Sequence, residues 1–487
     1  MANKDYGINI GYPIRDKNFV LPLINGEEAW RTVFNHIKNA EKSIHMCFWA
    51  LEGNMELIRN KNEVLSDPGR RKKNTLYNIL YEKARAGVKV RILLWNYPVN
   101  ARRQFADPTI GLSGSIGRFE VIYQPHPLLI GSWHQKTIII DDKLAFVGGM
   151  NAKENDWDTS EHLAFDLRRA KYRFTAEERR IIDSIKYHEA ISPPRHDYMT
   201  LIKGGLVSDV QLNFIERWNY CISEKYEYSN RATKLEIPEK LEIPEKSEDF
   251  SDVKAQIVRT IPSYKPQPQG EKGILEAYLN AVRFAEKYIY IENQYFRSQT
   301  LAKEIAKAAQ KNNKLKIIVV TPPDYLCELE PDESYKVAAP STHWTTQAFE
   351  TIKRAIPDFT LFYFQSTFIN NNKKRIFVPI DLHAKIMIVD DEWYTIGSCN
   401  INEIGFETEG ELNVSVQHWS AKDLRKKILS LHMKEQCPDD IDEAFELWFD
   451  HSTFNYKAWK SNSNPKSFVF PFNQNGPVSP MPLTSRW

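Results

Sequence analysis

The chain has 487 residues, 42% of them apolar and 26% charged, too many for one ordinary core and balanced like a globular protein rather than a disordered one. Its net charge of +2 gives no footing for a polyanion as main partner. No apolar run approaches the roughly 18 residues of a membrane span, and residues 1–17 hold no basic segment leading into an apolar one, so no secretory signal is expected. The five cysteines (Cys47, Cys221, Cys327, Cys399, Cys437) are scattered without metal-ligand spacing and are expected as reduced thiols.

In chain order, a helical pattern over 27–40 leads into the apolar run Ile44–Trp49, and a second over 75–86 leads into Val88–Trp95. Strands follow at 137–140 and 144–147. Residues 231–252 are charged and apolar-poor and contain an immediate duplication, Leu235-Glu-Ile-Pro-Glu-Lys240 and Leu241-Glu-Ile-Pro-Glu-Lys246. Proline disfavours helix, so this stretch is expected as an exposed, extended connection. The order then repeats. Helical patterns over 274–286 and 301–311 lead into Tyr288–Asn293 and Leu315–Val320, and strands follow at 386–389 and 393–396. Helices alternating with short, nearly all-apolar strands predict an α/β fold of two similar domains, each a mostly parallel sheet flanked by helices. The expected division is 1–230, a linker at 231–252, 253–451, and a tail at 452–487. The tail is rich in Pro, Asn and Ser and is expected to pack its aromatics over the domain surface.

The same signature closes each half. His134-Gln-Lys136 is followed by Asp141 and by Gly148-Gly149-Met150-Asn151. His383-Ala-Lys385 is followed by Asp390 and by Gly397-Ser398-Cys399-Asn400, at identical intervals. Residues two apart on a strand share a face, so His134 projects with Lys136 and His383 with Lys385, while Gln135 and Ala384 point away. A site built from both halves then holds two imidazoles, two ammonium groups and the carboxamides of Asn151 and Asn400. These donors suit the non-bridging oxygens of a phosphodiester. No carboxylate cluster of the two-metal kind is evident, so the expected chemistry is metal-free. The catalytic set is read as His134, Lys136, Asp141, His383, Lys385 and Asp390, with Asn151 and Asn400 binding phosphate. Asp141 and Asp390 begin polar turns, where a role as turn and hydrogen-bond anchor weighs at least as much as direct chemistry.

The doubled motif resembles that of the phospholipase D superfamily. Further blocks resemble phospholipases D: Trp157-Asp-Thr159, His196-Asp197, Phe214-Ile-Glu-Arg-Trp-Asn219 and Tyr290-Ile-Glu-Asn-Gln-Tyr-Phe296. The likeness covers about 21–431. Asn151 stands where many eukaryotic members have Asp, and no PX, PH or C2 module is recognised, so the chain is similar to compact bacterial forms. The resemblance implies two domains related by a pseudo-twofold axis and a ping-pong mechanism. His134 is implied as nucleophile and His383 as general acid and base. It also implies that Asp197 and Glu411 orient the imidazoles, with Asp166 competing for the first half. The implied reaction is hydrolysis of a glycerophospholipid to phosphatidic acid and a head-group alcohol, with transfer to other alcohols as a side activity. The alternatives are a cardiolipin synthase-like transferase, a nuclease of the same superfamily, and an inactive membrane-binding scaffold. No cofactor is expected, calcium entering only as a stimulant at the lipid interface. The expected partner is a phospholipid membrane surface, contacted peripherally by a monomer. Nucleic acid is not favoured. The chain is expected in the cytoplasm or exported without a signal peptide; as an exported toxin it would have an immunity or secretion partner.

Overall fold

The computed structural model describes residues 4–96, 119–129, 131–186, 190–227, 229–237, 253–323, 338–369 and 373–472. The strands of the first half are β1 (Arg15–Ile24), β2 (Ser43–Phe48), β3 (Lys89–Trp95), β4 (Phe119–Gln124), β5 (Thr137–Ile140), β6 (Leu144–Gly148), β7 (Arg195–His196) and β8 (Tyr198–Lys203). Those of the second are β9 (Val253–Ile261), β10 (Glu271–Lys272), β11 (Tyr288–Asn293), β12 (Lys316–Val320), β13 (Leu361–Ile369), β14 (Arg375–Pro379), β15 (Asp381–Leu382), β16 (Lys385–Val389), β17 (Trp393–Gly397), β18 (Glu411–Gln417) and β19 (Val469–Phe472).

Pairing repeats between the halves. The first sheet runs β4-β3-β2-β5-β6-β8-β1, and the second runs β13-β12-β11-β16-β17-β18-β9. The two join where β1 pairs antiparallel with β9. In each of these seven-stranded sheets three strands are parallel and the rest antiparallel. The sheets are therefore mixed, not mostly parallel, because each signature folds as a hairpin inside its sheet: β5–β6 and β16–β17.

Alternation along the strands sets the layers. In β5, Ile138 and Ile140 face an outer core with Trp30, Val33, Ile37, Ile79 and Leu80 of the helices Asn25–Lys38 and Leu76–Arg85. Thr75 caps the second of these through the Asn78 N–H. Ile139 points the other way, into a central core that also takes Ile386 and Ile388 of β16, Val414 of β18, and Val210, Phe214 and Trp218 of the helix Gly205–Ser223. Met387 and Val389 of β16 face a third core under the helices Gly273–Phe284 and Gln299–Lys311. Two sheets thus share the inner core, and helices cover both outer faces. Neither half can bury its inner sheet face alone.

Two boundaries differ from expectation. Residues 452–472 belong to the second half: the helix Ile441–Lys460 runs through position 452, and β19 adds an antiparallel edge to β13. Residues 473–487 lie outside the described residues. Of the linker, 231–237 are described and are not free of the body. Trp218 Nε1 donates to Thr233 O at 3.0 Å, and Asn219 exchanges two bonds with Leu235. The second duplicate lies outside the described residues, as does Cys327. The other four cysteines are free and buried. Among the described residues no helix is long and apolar enough to cross a membrane.

Candidate active site

Each signature histidine is docked by backbone bonds onto the opposite half. The His134 N–H donates to Gly410 O at 2.8 Å, and the Gly410 N–H returns to Ser132 O at 2.9 Å. The His383 N–H donates to His196 O at 2.9 Å, and β15 pairs in parallel with β7. The residue after each docking point is a carboxylate. Glu411 Oε1 accepts from His134 Nδ1 at 2.8 Å, and Asp197 Oδ2 accepts from His383 Nδ1 at 2.7 Å. The orienting pairs are therefore crossed: Glu411 serves the first histidine and Asp197 the second. Asp166, the rival for the first half, pairs instead with Arg168 at 2.6 Å, and Glu411 holds His134 Nδ1. With Nδ1–H committed to a carboxylate, each ring keeps Nε2 as its working atom.

The glycines that end the first hairpin explain how strands approach this closely. A Cβ on Gly148 would strike the β8 backbone at Tyr198 and Met199, and one on Gly149 would strike the Asp197 carboxylate. The second copy replaces Gly149 by Ser398, whose hydroxyl donates to Glu411 Oε2. The halves thus differ at the carboxylates behind the two rings.

Lys136 and Lys385 are buried. Lys136 Nζ bonds back to His134 O at 2.6 Å; Lys385 Nζ reaches His383 O and, at 3.1 Å, Gln294 Oε1. Burial, with Lys385 nearby, pushes Lys136 down to about 7 against the pull of Glu411. Burial, then Lys385, Arg195, Lys136 and His134, holds His383 well below the usual imidazole range. Burial pushes Asp197 up to about 7, opposed by Lys385 and Arg195. Burial and the neighbouring Glu409 push Glu411 well above the carboxylate range. Such displaced groups collected in one place are the mark of a reactive site.

Asn151 and Asn400 lie buried at the ends of the signature hairpins. Asn151 Oδ1 accepts the Ala50 N–H at 3.3 Å, while Asn400 Oδ1 is buried without a hydrogen-bond partner. Asp141 and Asp390 are not with them. Asp141 accepts the backbone N–H groups of Glu41, Lys42 and Ser43, and Asp390 those of Glu286, Lys287 and Tyr288. Both head tight turns with positive φ at two successive residues: 55° and 58° at Asp141-Asp142, 56° and 59° at Asp390-Asp391. Their inclusion in the catalytic set is corrected: they tie each hairpin to the start of the neighbouring strand.

Beside the expected Glu411 and Asp197, each histidine has a second carboxylate near it. Glu409 stands with Glu411 at His134, and Asp156 with Asp197 at His383, close enough in each case to hold a cation. Both oxygens of Glu411 and both of Asp197 already accept protein hydrogen bonds. Arg195, which pairs with Asp156 and Asp381, and Trp49, set edge-on to the His134 ring, were also not anticipated. Arg195 directly precedes the His196-Asp197 block and Gln294 sits inside the Tyr290–Phe296 block, so both had a signal in the resemblance. Asp156 directly precedes the Trp157-Asp-Thr159 block in the same way, whereas Trp49 and Glu409 had no such signal.

The sequence pattern of the family described as "Cardiolipin synthase, PLD-like domain" matches residues 33–172 and 278–431, and that described as "Phospholipase D" matches 128–320. Phospholipase D A of Dictyostelium discoideum is 26% identical over 93% of this chain and 36% of its own length. Phospholipase D alpha 4 of Arabidopsis thaliana is 24% identical over 78% of this chain and 59% of its own. The chain thus spans only part of these relatives. In fold it is similar to the phosphatidylserine synthase of Haemophilus influenzae, with a TM-score of 0.56 and 13% identity over 93% of this chain and 96% of that one. The family matches cover most of both halves, including both signature hairpins, and the chain belongs to the phospholipase D superfamily.

Proposed function

We propose that the chain is a phospholipase D that cleaves glycerophospholipids through a phosphohistidine. The observation that supports this best is the pair of His–carboxylate contacts, His134–Glu411 and His383–Asp197, each made across the two halves with a buried lysine beside it. His134 Nε2 attacks phosphorus and the P–O bond to the head group breaks. His383, protonated, gives its proton to the departing alcohol oxygen. His383 then takes a proton from water, the resulting oxygen attacks phosphorus, the P–N bond breaks, and phosphatidic acid leaves. Lys136, Lys385, Asn151 and Asn400 stabilise the non-bridging oxygens. In this reading no metal is required, the protein acts as a monomer, and it works peripherally on a lipid surface.

The depressed titration of His383 supports a second reading with the roles exchanged, because an unprotonated ring is what a nucleophile needs. The likeness to a synthase supports a variant in which an alcohol, not water, is the main acceptor.

Product analysis tests the proposal. With mixed phospholipid vesicles the expected product is phosphatidic acid. With ethanol added, phosphatidylethanol should form at its expense, because both acceptors compete for one intermediate. Head-group release without any ethanol adduct would overturn the covalent route. Cleavage of nucleic acid but of no phospholipid would overturn the substrate.

A further inference from the structure

Between β4 and His134 the chain makes a short loop that, among the described residues, leaves two leucines exposed at its outer side. Leu129 is 93% exposed and Leu128 41%. Residues 125–133 contain no Asp, Glu, Lys or Arg. A bare apolar tip on a loose loop would be unremarkable, since single exposed leucines are common. This loop is closed at its base. The Trp133 side chain is buried, its Nε1 donates to Pro125 O at 3.0 Å, and it meets the rings of His126 and Tyr264 edge-on. Arg217 covers its face at 4.2 Å. The Gly131 N–H donates to Leu128 O at 3.3 Å, and the Leu128 N–H donates to His126 Nδ1 at 3.1 Å. Trp133 is followed by His134, so the anchored base of the loop also holds the reacting ring.

The other half contributes to the same rim. Trp133 bridges in parallel to Gly410 of that half, and the short helix Glu403–Glu407 just before it leaves Ile404 37% exposed. That helix follows Asn400, and Gly410 beyond it receives the His134 N–H.

We infer that Leu128 and Leu129 are a membrane-insertion tip: they enter the boundary between head groups and acyl chains and hold the mouth of the site against the lipid that carries the substrate. This rests on the proposed phospholipid substrate. An uncharged tip loses no ionic hydration on entering that boundary, and each leucine removed from water strengthens the contact. A rigid base spares the ordering entropy that a floppy loop would lose on docking.

The test uses the full chain and a Leu128→Ser, Leu129→Ser double variant. Flotation with phosphatidylcholine vesicles measures binding. Turnover is measured on those vesicles and on a short-chain phosphatidylcholine kept below its micelle concentration. The double variant should bind vesicles about tenfold or more weakly, lose vesicle turnover by a similar factor, and keep its turnover of the monomeric lipid. Unchanged vesicle binding, or no vesicle binding by the unaltered chain, overturns the inference. An equal loss on the monomeric lipid also overturns it, because the leucines would then shape the site rather than dock it. If the unaltered chain binds vesicles through these leucines but turns over neither lipid, the insertion tip stands and the phospholipase reading fails.

Discussion

Lys136 carries a charge that its surroundings only partly support. Burial pushes it down to about 7, with Lys385 adding to the effect. In the proposed chemistry the ammonium form binds phosphate, so kcat/KM should fall as pH rises through about 7. A bound phosphodiester anion favours the proton, so the same limb in kcat should lie at higher pH. A Lys136→Met variant should be slow and lack that limb. A kcat/KM profile flat across neutral pH would contradict the assignment. Asp141 and Asp390 lead to the opposite expectation. Each carboxylate takes three backbone N–H groups, so replacement by Ala should cost about 2–3 kcal/mol of stability. The folded protein should keep nearly all its turnover. Urea titration alongside kcat separates the two effects, and a large kcat loss at full stability would return these residues to the chemistry. At this scale the sequence was legible in identity but not in partnership. Two identical motifs announce His134, Lys136, His383 and Lys385. That Glu411 serves His134 and Asp197 serves His383 depends on how one half docks on the other, which no spacing within a half can carry.

Elements were legible wherever a strand is apolar on both faces or a helix keeps one apolar stripe. β2, β5, β11 and β16 lie within a residue or two of their expected positions, and so do the helices Asn25–Lys38 and Gly273–Phe284. The edges were harder. β9 joins the two halves, yet its Lys254, Gln256 and Arg259 interrupt the apolar pattern. The domain boundary expected at 451 falls inside the helix Ile441–Lys460, because the Pro- and Asn-rich stretch beyond it dominated the composition. The connection after residue 231 was read as wholly exposed, but its first residues dock. Asn219 holds Leu235 from both sides, and Leu235 packs against the central core. Deleting residues 241–246, the second duplicate, should therefore leave stability and activity nearly unchanged, at a cost of about 1 kcal/mol or less. Leu235→Ala should lower the unfolding midpoint measurably. Equal losses from both changes would mean that the duplicate itself is packed.

Two deeply buried imidazoles, His45 and His432, resist protonation in the folded chain. Burial pushes His45 down to about 4, Gln211 opposing and Arg91 assisting; burial does the same to His432, against the pull of Glu292. The unfolded chain protonates these rings at about 6.5. Between about 4 and about 6.5 the unfolded state therefore binds protons that the folded state refuses, so stability falls as pH drops through that window. Each unit of difference is worth ~1.4 kcal/mol. The urea midpoint should fall from neutral to mildly acid pH, and His45→Gln should flatten part of that slope. A midpoint that rises on acidification would contradict the account. The shared central core draws on both halves, and the His134–Glu411 and His383–Asp197 contacts are made only between docked halves.

That composite site, working through a covalent intermediate, is the central claim, and intact-mass analysis tests it most directly. His134→Ala and His383→Ala variants are each incubated with a phospholipid whose leaving group is a nitrophenol and needs no proton. Attack can then proceed without the general acid, while removal of the second imidazole slows release to water. The account predicts a phosphatidyl adduct in one of the two variants, mapped to the remaining motif histidine, and slow turnover in both. The adduct is expected on His134; on His383 it would exchange the roles and keep the mechanism. No adduct in either variant, with the substrate turned over by the unaltered chain, would contradict the account.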